Sequence, residues 1–95
     1  MKIYAIICPI TNDIVYIGKT KNLELRAKSH CALNRAFVPN QKIYYWVESL
    51  HKVNQKPVFK EIASCSSNEE ALFVEKFFIN VYKKKYNLFN HHNNR

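Results

Sequence analysis

Residues Tyr16-Ile17-Gly18-Lys19-Thr20-Lys21-Asn22-Leu23-Glu24-Leu25-Arg26 constrain this chain more than any other stretch. They read as the end of a strand, a turn holding Gly18, Lys19 and Lys21, and the start of a helix. Asn22 is a good N-cap and Glu24 puts a negative charge in the first turn. His30 follows Arg26 at i+4, so a guanidinium and an imidazole share one helix face. The helix is expected from Leu23 to about Phe37, with Leu23, Arg26, Ala27, His30, Leu33 and Phe37 on its packing side. Two polar groups on that side need partners.

The rest of the chain can be placed around this stretch. Residues 2 to 8 alternate, with Ile3, Ala5 and Ile7 on one face and Tyr4, Ile6 and Cys8 on the other, so both faces of this strand can be buried. Pro9 to Asp13 supplies turn chemistry and Ile14 to Ile17 returns as a second strand. A loop centred near residue 10 sets Tyr4 opposite Tyr16; a slip of one residue would put them on different faces. Pro39 and Asn40 break the chain before a second helix, from Ile43 to about Val53, with Lys42, Glu48 and Lys52 toward water. Val58 to Ala63 alternates as a third strand, with Val58, Lys60 and Ile62 on one side.

Ser67-x-x-Glu70 is a capping box that opens a helix from Asn68 to about Lys84. On its wheel Ala71, Leu72, Phe78, Ile79 and Tyr82 crowd the sector of Glu75, while Phe73, Val74, Phe77 and Val81 form a second apolar sector. A helix this apolar is central or makes an oligomer contact. Tyr86 to Phe89 reads as an apolar anchor and 91–95 as a loose polar tail. The order is β-β-α-α-β-α.

A chain of 95 residues forms one domain, because at this size only roughly two-thirds of the unfolded surface is buried. Fifteen Lys and Arg against seven Asp and Glu leave a net charge of +8, which favours a polyanion such as nucleic acid over a merely soluble role. No apolar run approaches the roughly 20 residues of a membrane span and the N-terminus lacks signal-peptide sections, so no membrane partner and an intracellular site, cytoplasmic or nucleoid-associated, are expected. Cys8, Cys31 and Cys65 have no metal or disulfide spacing and read as reduced buried thiols. His51, His91 and His92 complete no zinc pattern with them and read as surface residues.

Glu75 is the most informative single position, since an isolated carboxylate among apolar residues costs several kcal/mol unless it is paired or bound to a cation. It either pairs with Arg26 or a lysine, or holds a cation such as Mg²⁺, which keeps most of its waters. Arg26 and His30 are either structural or a phosphate clamp beside Tyr16 and Lys19. Tyr4 and Tyr16 are core aromatics by default; a phenol with its usual pKa near 10 is a poor base without cations nearby. The run Lys83-Lys84-Lys85 is either a solvated helix end or a phosphate-backbone contact.

Together these residues resemble the GIY-YIG nuclease family, named for two short motifs on its first two strands, here Lys2-Ile3-Tyr4 and Tyr16-Ile17-Gly18. The stretch from Lys19 to Arg26 is similar to the corresponding segment of bacterial excision-repair nucleases and phage homing endonucleases. His30 sits where many homing-type members carry a histidine, Glu75 matches the family's metal-binding glutamate, and Asn87 in Tyr86-Asn87-Leu88 matches a common asparagine. Lys2 replaces the first glycine, which alters a backbone position and no reacting group.

The resemblance implies an α+β fold, a small three-stranded antiparallel sheet flanked by helices, over residues 1–90. It implies a Mg²⁺-dependent DNA endonuclease, with Mn²⁺ as a substitute and no organic cofactor, encoded by a phage or mobile element. Glu75 would hold the cation, Tyr4 would orient or deprotonate the attacking water with His30 assisting, and Tyr16, Lys19 and Arg26 would bind the scissile phosphate. Lys19, Lys21, Arg26, Asn87, Lys83 and Lys84 would contact DNA. A monomer would nick, and a homodimer through the last helix would break both strands. The competing expectation is a nucleic-acid-binding module with the same fold and no chemistry.

Overall fold

The computed structural model describes residues 1–31 and 41–90, without the side chains of 29–31 and 41. The second half of the first expected helix, the side chain of His30, and His91 and His92 therefore lie outside the described residues.

Six elements follow in the order β1 (Lys2–Ile7), β2 (Ile14–Thr20), α1 (Leu23–Cys31), α2 (Gln41–His51), β3 (Val58–Ser64) and α3 (Asn68–Tyr82). The strands form one antiparallel sheet in the order β2-β1-β3, an α+β arrangement. β1 takes the centre because after Lys2 it is apolar on both faces; Ile3, Tyr4, Ala5 and Ile6 are all fully buried. On one face Ile3, Ala5 and Ile17 pack with Cys65, Ala71, Val74, Phe78 and Ile79. The other face gathers Tyr4, Ile6, Cys8 and Val15 under Tyr16, Leu23, Trp46, Phe59 and Phe89. Cys8 and Cys65 are buried free thiols. Among the described residues no helix is long and apolar enough to cross a membrane.

The hairpin turn is closed by Cys8 N donating to Asp13 O and Asn12 N donating to Cys8 O, both at 2.8 Å, with Asn12 in the left-handed region at φ 64°. Tyr4 stands opposite Gly18, and Tyr16 opposite Ile6, so the expected Tyr4/Tyr16 register is corrected by two residues. The pairing shifts between Ile6 and Ile7, which leaves Val15 as a bulge. Because the side-chain period is two, both tyrosines stay on one face. β3 also departs from plain alternation. Ile3 pairs with Ala63 and Tyr4 with Glu61, so Ile62 is an extra residue, and Ile62 and Ala63 both join the α3-side core.

α3 opens as its capping box dictates, with Glu70 N donating to Ser67 Oγ at 3.1 Å. The return bond reaches one residue further back: Glu70 Oε1 accepts from Ser66 N at 2.8 Å. Its buried stripe is Ala71, Val74, Phe78, Ile79 and Tyr82; Leu72, expected in that stripe, points outward. The expected second sector is split, because Val74 packs inward while Phe73, Phe77 and Val81 are exposed at 74, 56 and 46%.

The free edge of β2 is covered by the segment after α3. Phe89 N donates to Val15 O at 2.6 Å. The Asn90 amide then acts as a surrogate strand, its Oδ1 accepting from Ile17 N at 2.9 Å and its Nδ2 donating to Ile17 O at 2.7 Å. An edge strand that would otherwise present open hydrogen-bonding groups is thereby capped.

Candidate active site

The site is built across β2. Gly18, expected in a turn, lies within this strand and has no positive φ. Its lack of a side chain serves close approach: a Cβ there would sit 2.5 Å from both Cζ and Oη of Tyr4 and 2.8 Å from Cε2 of Tyr16. The Tyr4 ring therefore lies over the chain's single glycine and meets Tyr16 with ring centroids 6.3 Å apart. Phe59 supports Tyr4 from the β3 side at 5.9 Å.

Beyond Gly18 the chain turns into α1 through a local hydrogen-bond cluster. Thr20 Oγ1 accepts from Asn22 N and donates to Asn22 O, both at 3.2 Å, and Thr20 is the one buried polar residue among those described. Asn22 Oδ1 accepts from Leu25 N at 3.0 Å, the expected N-cap. This turn brings Lys19, Lys21 and Arg26 to the lining of one open cleft of about 430 Å³.

The electrostatics join α3 to this group. Burial pushes the Tyr4 phenol well above its ordinary range, with Tyr16 and Glu75 adding to the rise and Arg26 opposing it. Tyr16 is pushed up to about 12, again by burial first, with Glu75 adding and Arg26 opposing. Burial holds the half-buried Glu75 carboxyl above the usual carboxylate range, against the pull of Lys19 and Lys76. Arg26 and Glu75 thus act on both phenols, and Lys19 acts on Glu75. Both phenols are protonated at neutral pH, so each is a hydrogen-bond donor there and a weak proton acceptor.

Glu75 makes no ion pair among the described residues; the one pair found there joins Lys2 to Glu61 at 2.7 Å and is largely solvated, worth at most about 1 kcal/mol. No cluster of three or more His, Cys, Asp or Glu converges among the described residues. A lone, partly desolvated carboxylate suits a hard cation that retains most of its water, and fits Mg²⁺ better than a metal needing a full protein cage.

Lys83, Lys84 and Asn87 do not line this cleft; they line a separate hollow beside the hairpin turn. His30 falls on α1, one turn after Arg26, with its side chain outside the described residues. Sequence reasoning misses three contributors. It puts Gly18 in a turn, gives Thr20 no weight, and offers no signal that the Asn90 amide reaches back 73 positions to Ile17. Only the spacing Thr20-x-Asn22 before the helix is a local cue.

The family model described as the GIY-YIG catalytic domain matches residues 1–87. The chain is 32% identical over 79 residues to UvrABC system protein C of Shewanella baltica (strain OS155), covering 83% of this chain and 11% of that protein. It is 33% identical over 76 residues to UvrABC system protein C of Aliivibrio fischeri, covering 80% and 11%, and 33% identical over 77 residues to that of Helicobacter pylori (strain P12), covering 80% and 12%. The chain thus spans about a ninth of the length of these curated relatives. No solved structure matches it. With its two tyrosine motifs seated around Gly18 and the family match running over nearly its whole length, the chain belongs to the GIY-YIG catalytic domain family.

Proposed function

We propose that this chain is a DNA endonuclease domain that hydrolyses phosphodiester bonds with a divalent cation, Mg²⁺ or Mn²⁺, held by Glu75. The observation that carries the reading is that two phenols meet over Gly18, with Arg26 and Glu75 acting electrostatically on both and Lys19 acting on Glu75. A purely structural cluster would pair Glu75 with Arg26. Instead Glu75 is left facing cations without a salt bridge among the described residues, a poised arrangement that suits phosphate and metal chemistry.

In this mechanism Arg26 binds non-bridging phosphate oxygens with its fork of donors, and Lys19 adds a mobile point charge. Tyr4 and Tyr16, protonated, donate hydrogen bonds that orient the attacking water and the phosphate. His30, one turn beyond Arg26, is the residue of the set whose ordinary pKa suits it to take the water's proton at neutral pH. The cation, when bound, supplies Lewis-acid neutralisation of charge developing on the phosphate.

Exposed Phe73, Phe77 and Val81, at i, i+4 and i+8 on α3, favour a second copy packing on that face and hence cleavage of both strands. Incubation with supercoiled plasmid, in Mg²⁺ and in EDTA, tests the reading. Metal-dependent conversion to open-circle or linear DNA, lost in Glu75→Ala, is expected; linear product should accompany a dimer in sedimentation equilibrium. Salt-dependent DNA binding without cleavage in any divalent cation would support a non-catalytic binding module instead.

A further inference from the structure

A second hollow, of about 470 Å³, lies between the hairpin turn and the turn that follows α3. Its size is that of a small-ligand site. Trp46 and Phe89, edge to face with centroids 5.8 Å apart, form an aromatic wall. Lys83, Lys84 and Lys85 line it in succession, against the single carboxylate of Asp13. Lys85 Nζ lies 5.4 Å from the ring centroid of Tyr86, so a cation and a second aromatic face occur together.

Cationic side chains beside aromatic rings in a concave surface are the combination that holds an unstacked nucleotide, its base on the rings and its phosphates on the lysines. A duplex offers such a hollow only its phosphates, because its bases are stacked away. β2 connects the two places: Val15 lines the hollow, and Lys19 lines the basic cleft with Arg26, the proposed phosphate-binding residues. Four residues of strand separate them by about 13 Å, which is about four stacked base steps along one DNA strand.

We propose that this hollow binds an unpaired nucleotide of the strand being cut, a few nucleotides from the scissile phosphate, so that the preferred substrate carries a single-stranded segment flanking the cleavage position. The proposal rests on the DNA reading above and adds a substrate class to it. It gives Lys83 to Lys85 a role separate from that of Lys19 and Arg26.

Trp46 is the chain's only tryptophan, so its fluorescence reports occupancy of the hollow directly. Titration of the protein in EDTA with a short oligothymidylate should quench Trp46 saturably. A blunt duplex at equal phosphate concentration should leave the emission nearly unchanged. The combined substitution Lys83→Ala, Lys84→Ala and Lys85→Ala should weaken the single-strand titration by about tenfold at low salt. It should also reduce the slope of log affinity against log salt by about 2, since each phosphate that a lysine neutralises on a single strand adds about 0.7 to that slope. Absence of a saturable quench, or an equal quench by the duplex, would overturn the proposal; these wild-type arms decide it even if the variant folds poorly. Plasmid cleavage run in parallel separates the two readings. Cleavage without quench overturns the hollow alone, while single-strand quench without cleavage in any divalent cation overturns the nuclease and with it the placement beside a scissile phosphate, leaving the hollow as a single-strand binding site only.

Discussion

At the scale of residues, the site depends on what Gly18 omits. In Gly18→Ala the new methyl would meet Tyr4 Cζ and Oη at 2.5 Å, and Tyr4 has no room to yield because it is 1% exposed between Phe59 and Tyr16. Overpacking of this kind costs about 1–3 kcal/mol. We expect Gly18→Ala to lower the unfolding free energy by that amount in a denaturant titration and to reduce cleavage more than the stability loss explains, because both phenols are displaced. Tyr4 itself carries a different prediction. Burial raises its pKa, so the phenol keeps its proton through the physiological range. Tyr4→Phe should therefore cut the cleavage rate by about 10- to 100-fold, the size of a lost oriented hydrogen bond, without changing the shape of the pH–rate profile. A profile that rises steadily toward alkaline pH in the wild type and flattens in Tyr4→Phe would make Tyr4 the base.

At the scale of elements, Asn90 can be tested separately. Its amide makes two hydrogen bonds to the peptide groups of Ile17, next to Gly18. Loss of two such bonds costs about 1–3 kcal/mol. Asn90→Ala should accelerate hydrogen exchange at the Ile17 amide selectively while leaving the amides of α3 unchanged; uniform acceleration would point to global destabilisation. Local elements are readable in the sequence because their causes are local. Asn22 and Ser67 cap α1 and α3 as their side chains suggest, and the apolar alternation of residues 2 to 8 identifies a strand buried on both faces. The Val15 and Ile62 bulges are not readable in that way, because they arise from pairing between strands and leave no mark in periodicity. The wheel of α3 likewise puts Leu72 inward and groups Phe73, Val74, Phe77 and Val81, since it gives sectors but not which neighbour fills them. The Asn90 lock joins positions 73 residues apart and has no local signature.

At the scale of the whole molecule, the charge of +8 includes two clusters on two concave surfaces: Lys19, Lys21 and Arg26 on the cleft, and Lys83 to Lys85 on the hollow. Glu75 links stability to the proposed function. It binds its proton more tightly in the folded chain than in the unfolded one, because burial disfavours the charged form. The folded state thus holds more protons, and the stability that protonated Glu75 contributes is lost as pH rises through the carboxylate range. A glutamine there cannot ionise and should be favoured at neutral pH. If Glu75 anchors the cation as proposed, the same substitution should also reduce cleavage by at least about a hundredfold. The most direct measurement is therefore thermal unfolding and plasmid cleavage of Glu75→Gln beside the wild type, in metal-free buffer for the melts and in Mg²⁺ for cleavage. The account predicts a higher Tm for the variant at neutral pH, converging with the wild type in acid, together with loss of cleavage. A lower Tm at neutral pH with cleavage retained would make Glu75 a structural ion-pair partner and contradict the assignment of this site.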